Sequence, residues 1–248
     1  EKFYKSAPIG ITVEGSNTLT RSLIIFGQGL NKSHPYIFPI LESVLKNDES
    51  VFMQNFRAIF GHSLKLYFST FNFTNLIPFT SKVLENQLID FACLTNFVAL
   101  KGGSLKREQM LSGAMADIFS NLYLALSVQY YHNNYKASIK LTDYIINKLL
   151  NENQNKINEV INNLGSERIL LKHLINPVYN ISYEEENKIF EEIMNNPNII
   201  NEIKKNIYVE NNILADLERA GSGELDLNSE EYKSLKNRII NVDEFNNI

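Results

Sequence analysis

Two long runs of helical periodicity, at about 79–100 and 104–132, are separated only by the tetrapeptide KGGS at 101–104. So short a connection makes the two helices antiparallel neighbours. In the second run Leu111, Met115, Ile118, Leu122 and Leu126 recur at three- and four-residue steps and mark one apolar face, while Asp117 and Asn121 fall on other faces. Gly102 and Gly103 end the first helix. This hairpin makes a helical bundle the expected architecture.

The flanking sequence extends the pattern. Residues 1–16 read as an extended lead-in containing Pro8, Gly10 and Gly15. Asn17 is a plausible cap for a helix bearing Leu19, Leu23 and Phe26, and Gly27 with Gly29 is expected to stop it. Pro35 opens a short helix with Phe38, Leu41 and Leu45, and 51–70 predicts another. A third long helix is predicted over about 135–151, with a weaker, Asn-rich stretch at 151–165. Short helices follow near 166–174, 183–195, 198–205, 211–220 and 229–240, separated by Pro177, Pro197 and the GSG at 221–223. No run alternates with period two for long enough to build a sheet, and GITVEG is one short strand at most. The predicted fold class is all-α: a helical bundle with long antiparallel helices and a tail of short helices.

Composition matters here mainly for what it excludes. In 248 residues, 44% are hydrophobic, with 15 Phe and 12 Tyr, which is enough for a substantial core. Lys and Arg number 24 against 28 Asp and Glu, so the net charge of -4 offers no nucleic-acid surface. The single cysteine, Cys93, lies in the apolar run LIDFACLTNFVAL and is expected to be a buried structural thiol. A disulfide framework within one chain is then impossible, and the default compartment is intracellular, with a cytoplasmic location. No stretch reads as a membrane span, and the start EKFYKSAPIGITVEG is not a signal peptide. That start lacks an initiator Met, so the chain is expected to be a piece of something longer. An aromatic run with few charges, Phe68, Phe71, Phe73, Leu76, Ile77 and Phe79, is expected to pack between helix ends; exposed, it would be a membrane-contact patch.

Few residues carry chemistry by their pattern. His34, His62, His132 and His173 form no metal-spaced pair and read as helix-end or core histidines. Glu108 and Asp117 are too far apart along a helix for a dyad, and GQG at 27–29 is too short for a dinucleotide fingerprint. Glu184, Glu185 and Glu186 suit a helix N-terminal turn. The segment that stands apart is GITVEGSNTLTRSLIIFGQG at 10–29. There Glu14 sits between an apolar approach and a glycine, just before a helix. A carboxylate walled by apolar groups gains a raised pKa and suits general-base work.

VEGSNTLTR at 13–21 resembles the catalytic-loop motif of the acyl-CoA dehydrogenases, commonly Tyr-Glu-Gly-Thr followed by a helix with an arginine. Glu14 falls on the catalytic glutamate, Gly15 on the glycine, Ser16 on the threonine and Arg21 on the arginine. Val13 replaces the tyrosine. The continuation, with HPY, KGGSLKREQMLSGAMADIFSNLYLA (101–125), ERILLKHLINP (167–177) and IYVENN with LADLERA (207–220), resembles the large bacterial branch that carries an extra C-terminal domain.

The resemblance implies an FAD enzyme that oxidises acyl-CoA to trans-2-enoyl-CoA in fatty-acid β-oxidation, with an electron-transfer flavoprotein as re-oxidant. Glu14 would remove the α proton while the β hydrogen leaves as hydride to the flavin, and the Glu14 backbone N–H would help hold the thioester oxygen. Gly15 and Ser16 would be the cofactor-contacting residues. By the same resemblance, residues 1–29 end the catalytic helical domain and 30–248 form the extension. The domains that would supply most flavin and acyl contacts are not in this sequence, so the isolated chain is expected to lack FAD and turnover. A homodimer and peripheral contact with the inner membrane complete the expected partners. The alternative reading is a non-catalytic helical module for interaction or membrane association; an unrelated helical scaffold is the third.

Overall fold

The computed structural model describes residues 19–71, 80–135, 137–178, 181–204, 213–221, 223, 226 and 228–239. Every regular element among them is helical. A π-helix, Thr20–Gln28, runs directly into α1 (Gly29–Ser33). Then come α2 (Ile37–Lys46), α3 (Glu49–Ser69), α4 (Thr80–Ala99), a 3-10 turn (Gly102–Lys106), α5 (Gln109–Tyr135) and α6 (Ile139–Asn163). The shorter helices are α7 (Arg168–Leu171) with a 3-10 turn (Lys172–Leu174), α8 (Tyr183–Asn195), α9 (Pro197–Lys204), α10 (Ile213–Gly221) and α11 (Glu230–Ile239). The all-α bundle with a tail of short helices is thus the observed fold.

The chain separates into two compact units, the first ending at Glu192 and the second beginning at Ile193. In the first, α5 and α6 form the most extensive pair, α4 packs on both, and the π-helix lies along α5. The pairing follows from spacing. Buried positions step by four and three: Leu111, Met115, Ile118, Leu122 and Ala125 on α5, and Ile146, Leu150, Asn153, Ile157, Val160 and Leu164 on and just beyond α6. On α4 Leu84, Gln87, Leu94 and Val98 obey the same rule. A seam with a 3.5-residue average period keeps facing its neighbour along several turns. In the second unit α10 and α11 pack together, and Arg219 Nη1 donates to Glu231 Oε1 at 3.1 Å. The hydroxyl of Ser229 accepts from Tyr232 N at 3.1 Å at the start of α11.

Two seam positions are polar, and both reach across to backbone. Asn153 Nδ2 donates to Ile118 O at 3.3 Å, and Gln87 Nε2 donates to Leu150 O at 2.9 Å. Their oxygens, Asn153 Oδ1 and Gln87 Oε1, are buried without a partner. An orphaned buried acceptor costs about 1–3 kcal/mol. Each amide therefore gives up stability while tying one helix to one register of its neighbour.

Four expectations need correction. Gly27 and Gly29 do not stop their helix: Gly29 is right-handed helical, at φ -57° and ψ -46°, and the chain stays helical to Ser33. His34 stops it, at ψ 129°, because it precedes Pro35 and a residue before proline is pushed out of the α region. Secondly, α6 does not fade at 151 but runs to Asn163. Asn153, which weakens the pattern by composition, sits in the core with its amide used. Thirdly, Leu126 is exposed and Ala125 takes its place, since the seam advances by three after Leu122. Fourthly, α5 is long and apolar enough to cross a membrane by length and composition, although half of its most apolar window is buried inside the protein.

Other expectations hold. Cys93 is buried, and burial pushes its thiol up to about 12. Glu184, Glu185 and Glu186 occupy the first turn of α8. There Ser182 and Glu185 cap each other reciprocally: Glu185 Oε2 accepts from Ser182 N at 2.9 Å, and Ser182 Oγ accepts from Glu185 N at 3.2 Å.

Candidate functional site

Glu14, Gly15 and Ser16, with Val13, lie outside the described residues. Of the four residues matched to the motif, Glu14, Gly15, Ser16 and Arg21, Arg21 is the one whose position is described. From the π-helix its Nε donates to Asp117 Oδ1 at 2.6 Å and its Nη2 to Asp117 Oδ2 at 2.6 Å. Asp117 is on α5, 96 residues away. Lys156 of α6 approaches Asp117 Oδ2 at 3.6 Å and Glu159 Oε2 at 3.4 Å, closing a small charge network.

Electrostatics and shape agree on this pair. The Arg21 guanidinium holds the Asp117 carboxyl below the usual carboxylate range, and Asp117 in turn raises Arg21. Gly113, one turn before Asp117 on α5, makes room: a Cβ there would stand 2.5 Å from Arg21 Nη1 and 2.8 Å from its Cζ. The side chains remain 43% and 29% exposed, so solvent screens the pair and its stability contribution is only about 1 kcal/mol. Its bidentate geometry is worth more than its energy, because two parallel bonds fix orientation as well as distance. Phe26, buried and edge-on to Phe91 at 6.5 Å between ring centroids, anchors the same π-helix farther along.

The histidines serve structure. His34 Nδ1 accepts from Tyr36 N at 3.2 Å and Ile37 N at 3.3 Å, so the proton belongs on Nε2, which donates to Asn96 Oδ1 at 3.0 Å. That neutral ring caps the start of α2, and burial lowers its pKa. Folding brings His62 to 5.7 Å from His34, centroid to centroid.

A cavity of about 280 Å³ between the ends of α3, α4 and the turn after α7 includes Gln87, Asp90, Gln154 and His173 in its wall. Gln154 Nε2 spends its hydrogens on Asn158 Oδ1 and Leu174 O, both at 2.9 Å, while Gln87 offers only its unpartnered oxygen. Burial raises the Asp90 carboxyl to about 7. The cavity thus surrounds a carboxyl group with amides, hydroxyls and His173, and no Lys or Arg lines it to meet the pyrophosphate of FAD. A second cavity, about 360 Å³, is bordered by Arg107, Glu108 and Glu159.

Sequence reasoning missed Asp90, although a lone carboxylate inside LIDFACL was a visible signal. It also missed that Asp117 answers Arg21, for which no local signal exists. Of the aromatic run, Phe68 and Phe71 are exposed, contrary to their expected core packing, and Phe71 stacks on His173 at 4.1 Å between centroids. Phe73, Leu76, Ile77 and Phe79 lie outside the described residues.

A bundle of long helices whose central hairpin grips the helix after the loop motif is the class of protein that fold and site define. The family model "Acyl-CoA dehydrogenase, C-terminal, bacterial type" matches residues 31–233, and the chain belongs to that family. No solved structure matches the chain. Asp117, Gly113 and Lys156 fall inside the matched span; Arg21 and Glu14 precede it.

Proposed function

We propose that this chain is the C-terminal portion of an FAD-dependent acyl-CoA dehydrogenase that oxidises acyl-CoA to trans-2-enoyl-CoA in fatty-acid β-oxidation, with Glu14 as the general base. The observation that carries the reading is Arg21: the arginine of the loop motif is gripped by the matched domain, so loop segment and domain belong to one enzyme. Residues 1–29 then close the catalytic helical domain, and 30–248 form its extension. The Glu14 carboxylate takes the α proton that the thioester acidifies. Desolvation by the acyl chain raises its pKa and strengthens it as a base. FAD, when bound, supplies the hydride acceptor, and Gly15 and Ser16 are the residues this chain would offer it. Hydride transfer needs a flavin that other parts of the parent enzyme would hold, so the isolated chain should show no turnover. An electron-transfer flavoprotein as re-oxidant, a homodimer and a cytoplasmic site peripheral to the inner membrane complete the proposal.

In the full-length enzyme, Glu14→Gln should leave flavin content and folding near wild type, because size and shape are kept. Flavin reduction by acyl-CoA in a single turnover should fall by about 10²–10⁴-fold. Near-normal reduction would sink the assignment of Glu14.

A second reading, a non-catalytic interaction or membrane-association module, is favoured by α3. Met53, Phe56, Phe60, Leu64 and Phe68 form an exposed stripe at three- and four-residue steps. Arg57 and Lys65 lie between them, and Glu49 is the sole acidic residue of α3. An apolar stripe flanked by cations suits an anionic lipid surface. Co-sedimentation with anionic liposomes that is unchanged in a Phe56→Asp, Phe60→Asp variant would remove this reading.

A further inference from the structure

We propose that His34 is a pH-sensitive catch for the α2–α3 hairpin: the neutral imidazole fastens the start of α2 to α4, and a second proton on the ring releases it. α2 has little else to hold it. Ser43 is its single buried residue, and it packs chiefly on α1 and α3, whereas α3 reaches the bundle through α4. Phe38, Leu41 and Leu45 of α2 and Phe56 and Phe60 of α3 face water. The catch stands whether or not Glu14 is the base.

Three contacts commit the His34 ring to one state. Nδ1 accepts from Tyr36 N at 3.2 Å and Ile37 N at 3.3 Å, two of the N–H groups that open α2 without an intrahelical partner. Nε2 therefore carries the hydrogen and donates it to Asn96 Oδ1 of α4 at 3.0 Å. Asn96 keeps its oxygen on the ring although its Nδ2 is left buried without a partner. A flipped amide would set its own hydrogens against the ring N–H. A second proton can land only on Nδ1. It would turn the acceptor into a donor that faces two donors, at the positive end of the α2 dipole.

The neighbouring elements offer that proton no relief. Burial depresses the His34 pKa, and His62 of α3, 5.7 Å away between ring centroids, opposes a second positive charge beside it. Tyr36 presents an aromatic ring at 6.1 Å, and Asn96 is uncharged. Lys32 of α1 is turned over the Phe38 ring at 4.3 Å. No carboxylate is among the groups that shift His34. A depressed histidine pKa contributes stability above the ordinary histidine value and loses it as pH falls from there toward the folded value. The catch is thus closed near neutral pH and opens in acid.

The test uses the 248-residue chain. Imidazole titration by NMR reads the His34 ring directly. Backbone amide exchange, corrected for its intrinsic pH dependence, reads α2 against α5 and α6. From about pH 7.5 to about pH 5, protection of the α2 amides should fall by about tenfold while α5 and α6 hold. His34→Asn puts an amide oxygen that does not titrate where Nδ1 stands, so α2 protection should change by less than about twofold over that range. His62→Gln removes the facing positive charge; the fall should persist, with its midpoint at higher pH.

A wild-type His34 ring that titrates at or above the ordinary histidine value would overturn the catch, and that result needs no variant. So would α2 protection that is flat with pH, or a fall retained in full by His34→Asn. A fall abolished by His62→Gln would make His62 the sensor instead. Protection lost equally across α5 and α6 would mean a global acid transition and would overturn the proposal as well.

Discussion

The α5–α6 hairpin and the α2–α3 hairpin are built from similarly apolar sequence and end in opposite states. On α5, nine residues from Leu111 to Ala125 are buried; on α3, whose 21 residues include four phenylalanines, none is. Residue size explains much of the contrast. Gly113, Ala114, Ala116 and Ala125 let α6 and the π-helix come close to α5, so Met115, Ile118 and Leu122 fill the gaps. On α3 Phe56 and Phe60 point out although Ala58 and Gly61 lie beside them, and a Cβ built at Gly61 would meet nothing within 4 Å. Joining the two helices is not the difficulty at α2–α3. Asn47 turns the chain in the left-handed region, at φ 53°, and Asp48 caps α3 by accepting from Val51 N at 3.0 Å. Apolar content thus makes a helix eligible for a core, and small residues admit it only where a neighbouring helix crosses at them, as at Gly113 and Ala116 but not at Gly61.

The largest effect should come from truncating the buried seam. Leu122→Ala should cost about 2–5 kcal/mol, since it opens a cavity where neighbours cannot fully collapse. Phe60→Ala, despite removing more side chain, should stay within about 0.5 kcal/mol because the ring is already in water. Urea unfolding of both variants measures the difference. Equal costs would break the comparison and show that something covers α3 in solution, which a dependence on protein concentration would reveal as a second copy.

Next in size is Asp90, at the rim of the buried region. Its folded pKa of about 7 lies above the ordinary carboxylate value, so the native state binds more protons than the unfolded chain in between. Stability associated with Asp90 is therefore full in acid and lost as pH rises through about 7. Asp90→Asn should add roughly 2 kcal/mol above neutral pH, allowing for screening through the open cavity, and nothing near the unfolded carboxylate pKa. His34 has the opposite sign: its pKa is depressed, so its contribution is lost as pH falls below the ordinary histidine value. Between the unfolded carboxylate value and about 7 the variant should consequently lose the fall in stability with rising pH, while the raised Cys93 thiol still gives a fall above its ordinary value. A fall over the Asp90 window as steep as the wild type's would mean that Asp90 does not hold its proton in the native protein.

The smallest change should be Asn153→Leu. It removes one cross-helix bond and one orphaned oxygen together, and the net shift should stay within about 1 kcal/mol. Register is the property at stake. Doubled or broadened methyl resonances on α5 and α6 would show that the amide selects one alignment. A single sharp set would show that the flanking leucines and isoleucines suffice.

Legible in the sequence alone were the helices, the hairpin at KGGS, the burial of Cys93, the acidic first turn at Glu184, Glu185 and Glu186, and the resemblance that the family match bears out. These depend on local signals: a three-to-four-residue period, turn residues, a side chain reaching its own backbone. Where the signals misled, at Gly29 and Asn153, a residue disfavoured in isolation was tolerated because its surroundings satisfied it. Tertiary structure alone decided that Arg21 belongs with Asp117, that Gly113 is the space between them, that Asp90 faces a cavity and that α3 keeps its phenylalanines outside. Each of those is a relation between helices, and the Arg21 pair spans 96 residues. Periodicity states which face of a helix turns inward; only packing states which side chain waits on the other side.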